Sequence, residues 1–150
     1  MTGELHYLAP ACWSWGWPIP ELEVDPLVAS SPQLAELVAS LETPESIARD
    51  KLRAWQYGHC AVCGIGRSRL VEDHEHESGL TRGFLCQSCN VGEGNNRDPI
   101  FSLYRWRHPT SILGLTIRYC HPFTGKPIGA TRQTEKRNLW GPNALDGIGL

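Results

Sequence analysis

Two CxxC pairs in the middle of the chain enclose a short run of histidines and acidic residues. The four cysteines of these pairs are Cys60, Cys63, Cys86 and Cys89. Four thiolates at this spacing can close a tetrahedral zinc site. Such a site performs no reaction itself, but it can fix the enclosed loop against the segment that begins at Asn90. The sequence therefore predicts a metal-dependent active site on a scaffold held by one structural Zn²⁺ per chain.

The enclosed run places two imidazoles and two carboxylates within four residues, Asp73-His74-Glu75-His76. Regular alternation along a strand would put His74 and His76 on one face and the two carboxylates on the other. A kink in the strand would instead let Asp73 and His74 converge on one ligand. Titratable groups gathered beside a metal scaffold favour a functional site, and a charged surface strand is the alternative.

Asn90 directly follows the last cysteine of the second pair. Its amide oxygen is a hard, neutral ligand that suits Mg²⁺, and a zinc ion bound at Cys89 would hold it at a set distance from Asp73. Glu93 lies one helical turn further on the same face. The alternatives are a helix N-cap for Asn90 and a solvated helix carboxylate for Glu93.

These groups belong to a longer pattern over residues 55–97. Its parts are Cys60-x-x-Cys63, Asp73-His74-Glu75-His76, Gly79, Arg82-Gly83-Phe84-Leu85-Cys86, Cys89-Asn90 and Glu93-Gly94. The pattern resembles the recombination endonuclease VII family, which belongs to the HNH, or His-Me finger, nucleases. The fold that this resemblance implies is α+β, with a small zinc-stabilised ββα-metal core, flanking short helices and irregular termini.

The resemblance also implies a role for each matching residue. The four cysteines would bind structural zinc, and Asp73 and Asn90 would hold a catalytic Mg²⁺ or Mn²⁺. His74 would be the general base and His76 would assist at the phosphate or the metal. Glu93 matches an acidic position in the family's short helix and would be a further catalytic residue. The implied activity is hydrolysis of DNA phosphodiester bonds, by nicking or cutting of duplex or branched DNA.

Charge is distributed unevenly along the chain, although the net charge is only −2. Residues 1–50 hold eight acidic residues and one basic residue, whereas residues 97–137 hold eight basic and two acidic residues. This asymmetry predicts a basic face that meets DNA phosphates, and two solvated faces of opposite sign are the alternative. The basic residues expected to contact the DNA backbone are Arg82, Arg97, Arg105, Arg107, Arg118, Lys126, Arg132, Lys136 and Arg137.

Short helices and strands must position these groups. Ser31-Pro32 and Thr43-Pro44 each combine an N-cap residue with proline at the first helical position, which predicts two helices. The second helix is expected to end at Gly58. The first carries an apolar stripe formed by Leu34, Leu37, Val38 and Leu41.

Further along, Leu70-Val71 and residues 80–85 favour two strands that pair across a turn at Ser78-Gly79. A short helix is expected over residues 90–96. An amphipathic helix over residues 99–107 should stop at Pro109, where another element can open.

A chain of 150 residues is most consistent with a single domain, 1–150. Within it we expect a Trp/Pro-rich N-terminal wrap with a short helix over 1–43 and a zinc-bound nuclease core over 44–98. A basic C-terminal extension would cover 99–150. The alternating indoles of Trp13, Trp15 and Trp17 favour packing on the domain, with base stacking as the alternative.

The N-terminus has no signal-peptide pattern and the chain has no apolar run of membrane-spanning length, so a cytoplasmic protein in a bacterial or phage-like context is expected. Members of the resembled family often dimerise through long helices after the nuclease core. Here prolines interrupt that region at Pro109, Pro122, Pro127 and Pro142, so homodimerisation is left open.

Two other functions fit parts of the pattern. A zinc-stabilised DNA-binding module without catalysis would explain the cysteines and the basic segment, but not the positions of Asp73, His74 and Asn90. A zinc-scaffolded protein-interaction domain could use the Trp13–Trp17 segment, and it would show no salt-sensitive binding to DNA.

Overall fold

The computed structural model describes residues 9–95 and 97–128. This part of the chain contains six α-helices and one two-stranded sheet, so the α+β class is confirmed. The helices are α1 (Pro26–Ser30), α2 (Pro32–Leu41), α3 (Pro44–Gln56), α4 (Gln87–Asn95), α5 (Pro99–Trp106) and α6 (Pro109–Leu113), and the strands are β1 (Val71–His74) and β2 (Thr81–Leu85). A 3₁₀ turn, Ala11–Ser14, precedes them.

Proline after a capping residue begins five of these helices, since its fixed φ suits the first turn and its missing N–H is not needed there. The predicted caps at Ser31 and Thr43 are confirmed. The Ser31 hydroxyl accepts from the Leu34 N–H at 3.4 Å, and Thr43 forms a capping box with Ser46. Pro109 does more than stop α5, because it also opens α6 behind the His108 cap.

The two strands pair antiparallel, with Asp73 opposite Gly83. The register shifts between Asp73 and His74, where His74 pairs with Thr81. A bulge of this kind bends the strand and re-aims the side chains beside it. The predicted kink in the histidine-acid run is therefore present, and it lies between the buried Asp73 and the half-buried His74.

The core lies between α3, the hairpin and α5. Trp55, Leu85 and Tyr104 are fully buried there, beside Cys60. Gly83 allows α6 to approach β2, because a Cβ at this position would lie 2.8 Å from Pro109 Cγ. Strand β2 therefore packs against α6 and also contacts α3. These contacts support the hairpin whose other strand carries Asp73.

Several elements differ from the sequence predictions. Helix α4 begins at Gln87, three residues before the predicted start, so Asn90 lies inside the helix and the N-cap alternative is wrong. Helix α3 ends at Gln56 with Tyr57 as its left-handed C-cap (φ 46°), and the predicted Gly58 follows directly, also left-handed (φ 72°). The apolar stripe of α2 faces solvent, since Leu34, Leu37 and Leu41 are all exposed.

The predicted irregular tail is described only as far as residue 128, where Cys120 and Pro127 form an isolated bridge. The predicted DNA contacts Arg132, Lys136 and Arg137 lie outside the described residues, as does Pro142. Among the helices of the described residues, none has the length and apolar character required to cross a bilayer.

Candidate metal centre and histidine site

The four cysteines of the two CxxC pairs meet in one cluster. Their sulfur atoms all lie within 4.8 Å of one another, and none of the six cysteines forms a disulfide. The Sγ atoms of Cys63 and Cys86 are 3.9 Å apart, close to the roughly 3.8 Å expected in a tetrahedral site with Zn–S bonds of about 2.3 Å. The donor set and its spacing therefore fit a structural zinc ion.

Short-range backbone hydrogen bonds and the first turn of α4 position these sulfurs. The Gly64 N–H donates to the Cys60 carbonyl at 2.9 Å, and the Cys60 N–H donates to the Ile65 carbonyl at 3.1 Å. Gly64 has φ 73°, a conformation that favours glycine. On the other side of the cluster, the first turn of α4 holds Cys89. A zinc ion would thus join the turn after α3 to the start of α4.

Asp73 is the most deeply buried acidic side chain of the site, with 4% of its surface exposed. Its Oδ2 atom accepts a hydrogen bond from the Tyr104 hydroxyl at 3.0 Å and lies 3.6 Å from Arg82 Nε. Burial raises the pKa of Asp73 to about 6, although the Arg82 charge acts in the opposite direction. A cation beside this carboxylate would favour its ionised form.

His74 follows the bulge and is held by aromatic contacts. Its ring stacks on that of Tyr119, with centroids 3.8 Å apart and an interplanar angle of 2°, and His76 lies 4.9 Å away. Burial lowers the pKa of His74, and the nearby charges of His76 and Arg82 lower it further. The imidazole is therefore neutral at pH 7 and can accept a proton.

Glu93 projects from α4 into an ion-pair network. Its Oε1 atom lies 3.0 Å from Arg82 Nη1 and 2.6 Å from Arg105 Nε. Burial raises the pKa of Glu93, but the hydrogen bond from Arg105 and the charge of Arg82 outweigh it, so the net pKa is lowered. Arg82 also donates to the His74 carbonyl at 3.1 Å. It therefore connects the strand that carries Asp73 and His74 to the helix that carries Asn90.

Asn90 is half-buried in α4, and its N–H donates to the Cys86 carbonyl at 2.9 Å. Helix α4 packs against both strands of the hairpin. The structure thus brings Asp73, His74, Glu93 and the helix of Asn90 into one region. His76 is exposed at its edge.

A cavity of about 270 Å³, called the polar cavity for its charged lining residues, adjoins the arginine network. Glu75, Arg82, Arg105 and His108 line it, together with residues of β2 and α6. His108 is fixed by Thr110, whose Oγ1 atom lies 2.9 Å from the imidazole Nδ1. Two guanidinium groups in one recess suit an anion, and DNA phosphate is the anion that the motifs predict.

The other predicted DNA contacts spread over the surface. Arg97, Arg105, Arg107, Arg118 and Lys126 are exposed, whereas the side chain of Arg82 is only 11% exposed and faces Asp73 and Glu93. Arg82 therefore differs from a surface phosphate contact. Its Nε atom is buried, makes no hydrogen bond to the described residues and lies 3.6 Å from Asp73 Oδ2.

Sequence reasoning missed three site residues: Tyr104, His108 and Tyr119. Tyr104 was included in the amphipathic pattern of α5, and nothing local marks it as a partner of a carboxylate 31 residues away. Tyr119 and His108 reach the site only because α6 and the segment after it fold back over β2.

Residues 36–107 match the family model described as recombination endonuclease VII, which confirms the resemblance predicted from the motifs. A curated relative, the "Gene 59 protein" of Mycobacterium phage D29, is 44% identical over 39 residues. That stretch covers 24% of this chain and 24% of the relative, so the chain spans about a quarter of the length of the relative it matches. No solved structure matches the chain significantly.

Proposed function

We propose, from the match of residues 36–107 to the recombination endonuclease VII family, that this protein is a metal-dependent DNA endonuclease of the HNH type. The observation that carries the proposal is the bulge that joins Asp73 to His74. It holds a buried carboxylate next to a neutral imidazole, beside a helix that follows the cysteine cluster. Hairpin and helix together would form the ββα-metal core.

Asp73 and Asn90 would hold the catalytic Mg²⁺ or Mn²⁺. Their carboxylate and amide oxygens are ligands that these hard cations prefer, and two protein ligands leave positions for substrate oxygens and water. When bound, such a cation stabilises the negative charge that develops on the phosphate in the transition state. Tyr104 and Arg82 orient the Asp73 carboxylate from the protein side.

His74 acts as the general base in this proposal. The neutral imidazole removes a proton from the attacking water, and the lowered pKa of His74 keeps it in the accepting form at neutral pH. Stacking on Tyr119 fixes the plane of the ring. His76, whose ring centroid lies 4.9 Å from that of His74, would assist at the phosphate or the metal.

The remaining charged residues would position the DNA. Glu93 holds Arg82 and Arg105 at the polar cavity, where both guanidinium groups can meet a phosphate. The exposed basic residues grip the backbone without reading sequence. They are Arg97, Arg107, Arg118 and Lys126, with Arg132 added from the sequence.

Supercoiled plasmid incubated with the purified protein tests this function. We expect nicked or linear products in the presence of Mg²⁺ and none in the presence of EDTA at a concentration that leaves the tightly bound zinc in place. DNA binding in a gel-shift assay without any Mg²⁺-dependent cleavage would instead support the alternative, a zinc-stabilised DNA-binding module without catalysis.

A further inference from the structure

The N-terminal segment and the end of α3 form an aromatic cavity that the proposed reaction does not use. Its volume is about 620 Å³, within the range of small-ligand sites. The lining residues are Trp15, Trp17, Pro18, Pro20, Ala54, Trp55, Tyr57 and His59. No acidic side chain is among them.

Ring contacts and hydrogen bonds hold the indoles of this cavity together. Trp15 and Trp17 stack with centroids 5.5 Å apart, and Trp55 meets Trp15 edge-on. Trp17 Nε1 donates to the Trp55 carbonyl and Trp55 Nε1 donates to the Trp17 carbonyl, each at 3.0 Å. Because both N–H groups are occupied, what remains for a ligand is flat aromatic surface, and 48% of Trp17 is exposed.

Tyr57, at the rim of the cavity, is exposed to solvent and has an unfavourable backbone conformation. It adopts the left-handed conformation with φ 46°, which is unusual for a bulky residue. Its side chain is 81% exposed, so packing in the core does not explain the residue. The ring lies nearly parallel to that of His59, whose Nδ1–H donates to the Tyr57 carbonyl at 2.8 Å. The turn thus extends the aromatic surface outward.

Positive charge lies on the other side of the same turn. A second cavity, of about 230 Å³, is lined by Arg53, Gly58 and Arg67, and the Arg67 N–H donates to the Gly58 carbonyl at 2.9 Å. Residues 51–71 contain four basic residues and no acidic one, and the Arg53 side chain is 59% exposed although its guanidinium lies 3.8 Å from Asp50. A ligand that spans the Tyr57–His59 turn therefore meets aromatic faces at one end and guanidinium groups at the other.

We propose that this surface binds a short single-stranded stretch of DNA, with unpaired bases on the Trp17 and Tyr57 rings and phosphates at Arg53 and Arg67. Single-stranded nucleic acid combines flat bases with a regular anionic backbone, and proteins bind it through such stacking surfaces and cations. A proline-rich peptide would fit the aromatic cavity but would leave the guanidinium groups unused. The choice of DNA rests on the proposed function, and it deepens that function by selecting substrates that carry unpaired nucleotides.

Binding of a fluorescein-labelled oligonucleotide of twelve thymidines, followed by anisotropy in EDTA so that no cleavage occurs, tests this proposal. We expect the Tyr57→Gly variant, which removes the ring and suits the left-handed conformation, to bind roughly 5- to 150-fold more weakly. Tyr57→Phe should bind like the unmodified protein. An unlabelled oligonucleotide should quench tryptophan fluorescence.

The matched control is Phe123→Ala, which removes a 92% exposed aromatic ring elsewhere on the surface and should leave binding unchanged. Equal affinity of Tyr57→Gly and the unmodified protein overturns the proposal, as does quenching by a nonaproline peptide but not by the oligonucleotide. Since the assay needs no catalysis, Tyr57-dependent binding without plasmid nicking would contradict only the proposed function. Nicking with Tyr57-independent binding would contradict only this inference.

Discussion

The Tyr104 hydroxyl donates a hydrogen bond to the Asp73 carboxylate at 3.0 Å, between side chains that are 31 residues apart and both buried. Burial raises the pKa of Tyr104 well above its usual value, and the Asp73 charge adds to that effect. The phenol therefore stays protonated and can only donate to Asp73. This contact ties α5 to the proposed metal ligand and fixes which oxygen of the carboxylate remains available.

The Tyr104→Phe variant should weaken binding of the catalytic metal. Groups that orient a metal ligand typically contribute 10- to 100-fold in metal affinity, so we expect the Mn²⁺ dissociation constant from calorimetry to rise about 10-fold. Nicking at saturating Mg²⁺ should be affected much less. Tyr119→Phe is the control, because it keeps the ring that stacks on His74. An unchanged Mn²⁺ affinity in Tyr104→Phe would remove this residue from the site.

The Cys60→Ser variant should lose zinc and the fold of the central region. Structural zinc contributes about 10–16 kcal/mol to the folding of small sites at neutral pH, and the four cysteines join the turn after α3 to the start of α4. The zinc content measured by elemental analysis should fall below one ion per chain, and circular dichroism should show a loss of secondary structure. Cys120→Ser, outside the cluster, should retain both. One zinc per chain in Cys60→Ser would contradict the tetrathiolate site.

The Glu93→Gln variant should destabilise the protein, because it leaves the largely buried guanidinium of Arg82 without a full counter-charge. Breaking a buried pair costs about 3–5 kcal/mol, and we expect the lower end, since Arg82 keeps Asp73 nearby. Urea unfolding measures the change. Asp50→Asn breaks the exposed pair with Arg53 and should cost about 1 kcal/mol or less. Equal losses of unfolding free energy in the two variants would show that the Glu93 network stabilises the protein no more than an exposed ion pair does.

The features that the sequence predicted correctly are those encoded by close spacing. Two CxxC pairs suffice to place four sulfurs together once the hairpin returns the chain, and Ser31-Pro32 and Thr43-Pro44 start helices through contacts within four residues. The kink beside Asp73 was one of two alternatives, and only strand pairing with β2 selects it.

The features that escaped prediction depend on contacts between distant segments. The partner of Asp73 comes from α5, and the ring that stacks on His74 comes from the segment after α6. The sequence predicted Arg82 only as a phosphate contact, because it does not show that this side chain also lies between Asp73 and Glu93. The left-handed Tyr57 next to Gly58 was missed because glycine is the usual residue at that position.

Plasmid nicking by the His74→Ala variant tests the central claim most directly. The substitution removes the proposed base without touching the cysteine cluster, so zinc content and gel-shift DNA affinity should match the unmodified protein, while the Mg²⁺-dependent nicking rate should fall by about 10²–10⁴-fold. His121→Ala, which removes an imidazole elsewhere, should nick normally. Undiminished nicking by a folded, zinc-containing His74→Ala protein would contradict the account.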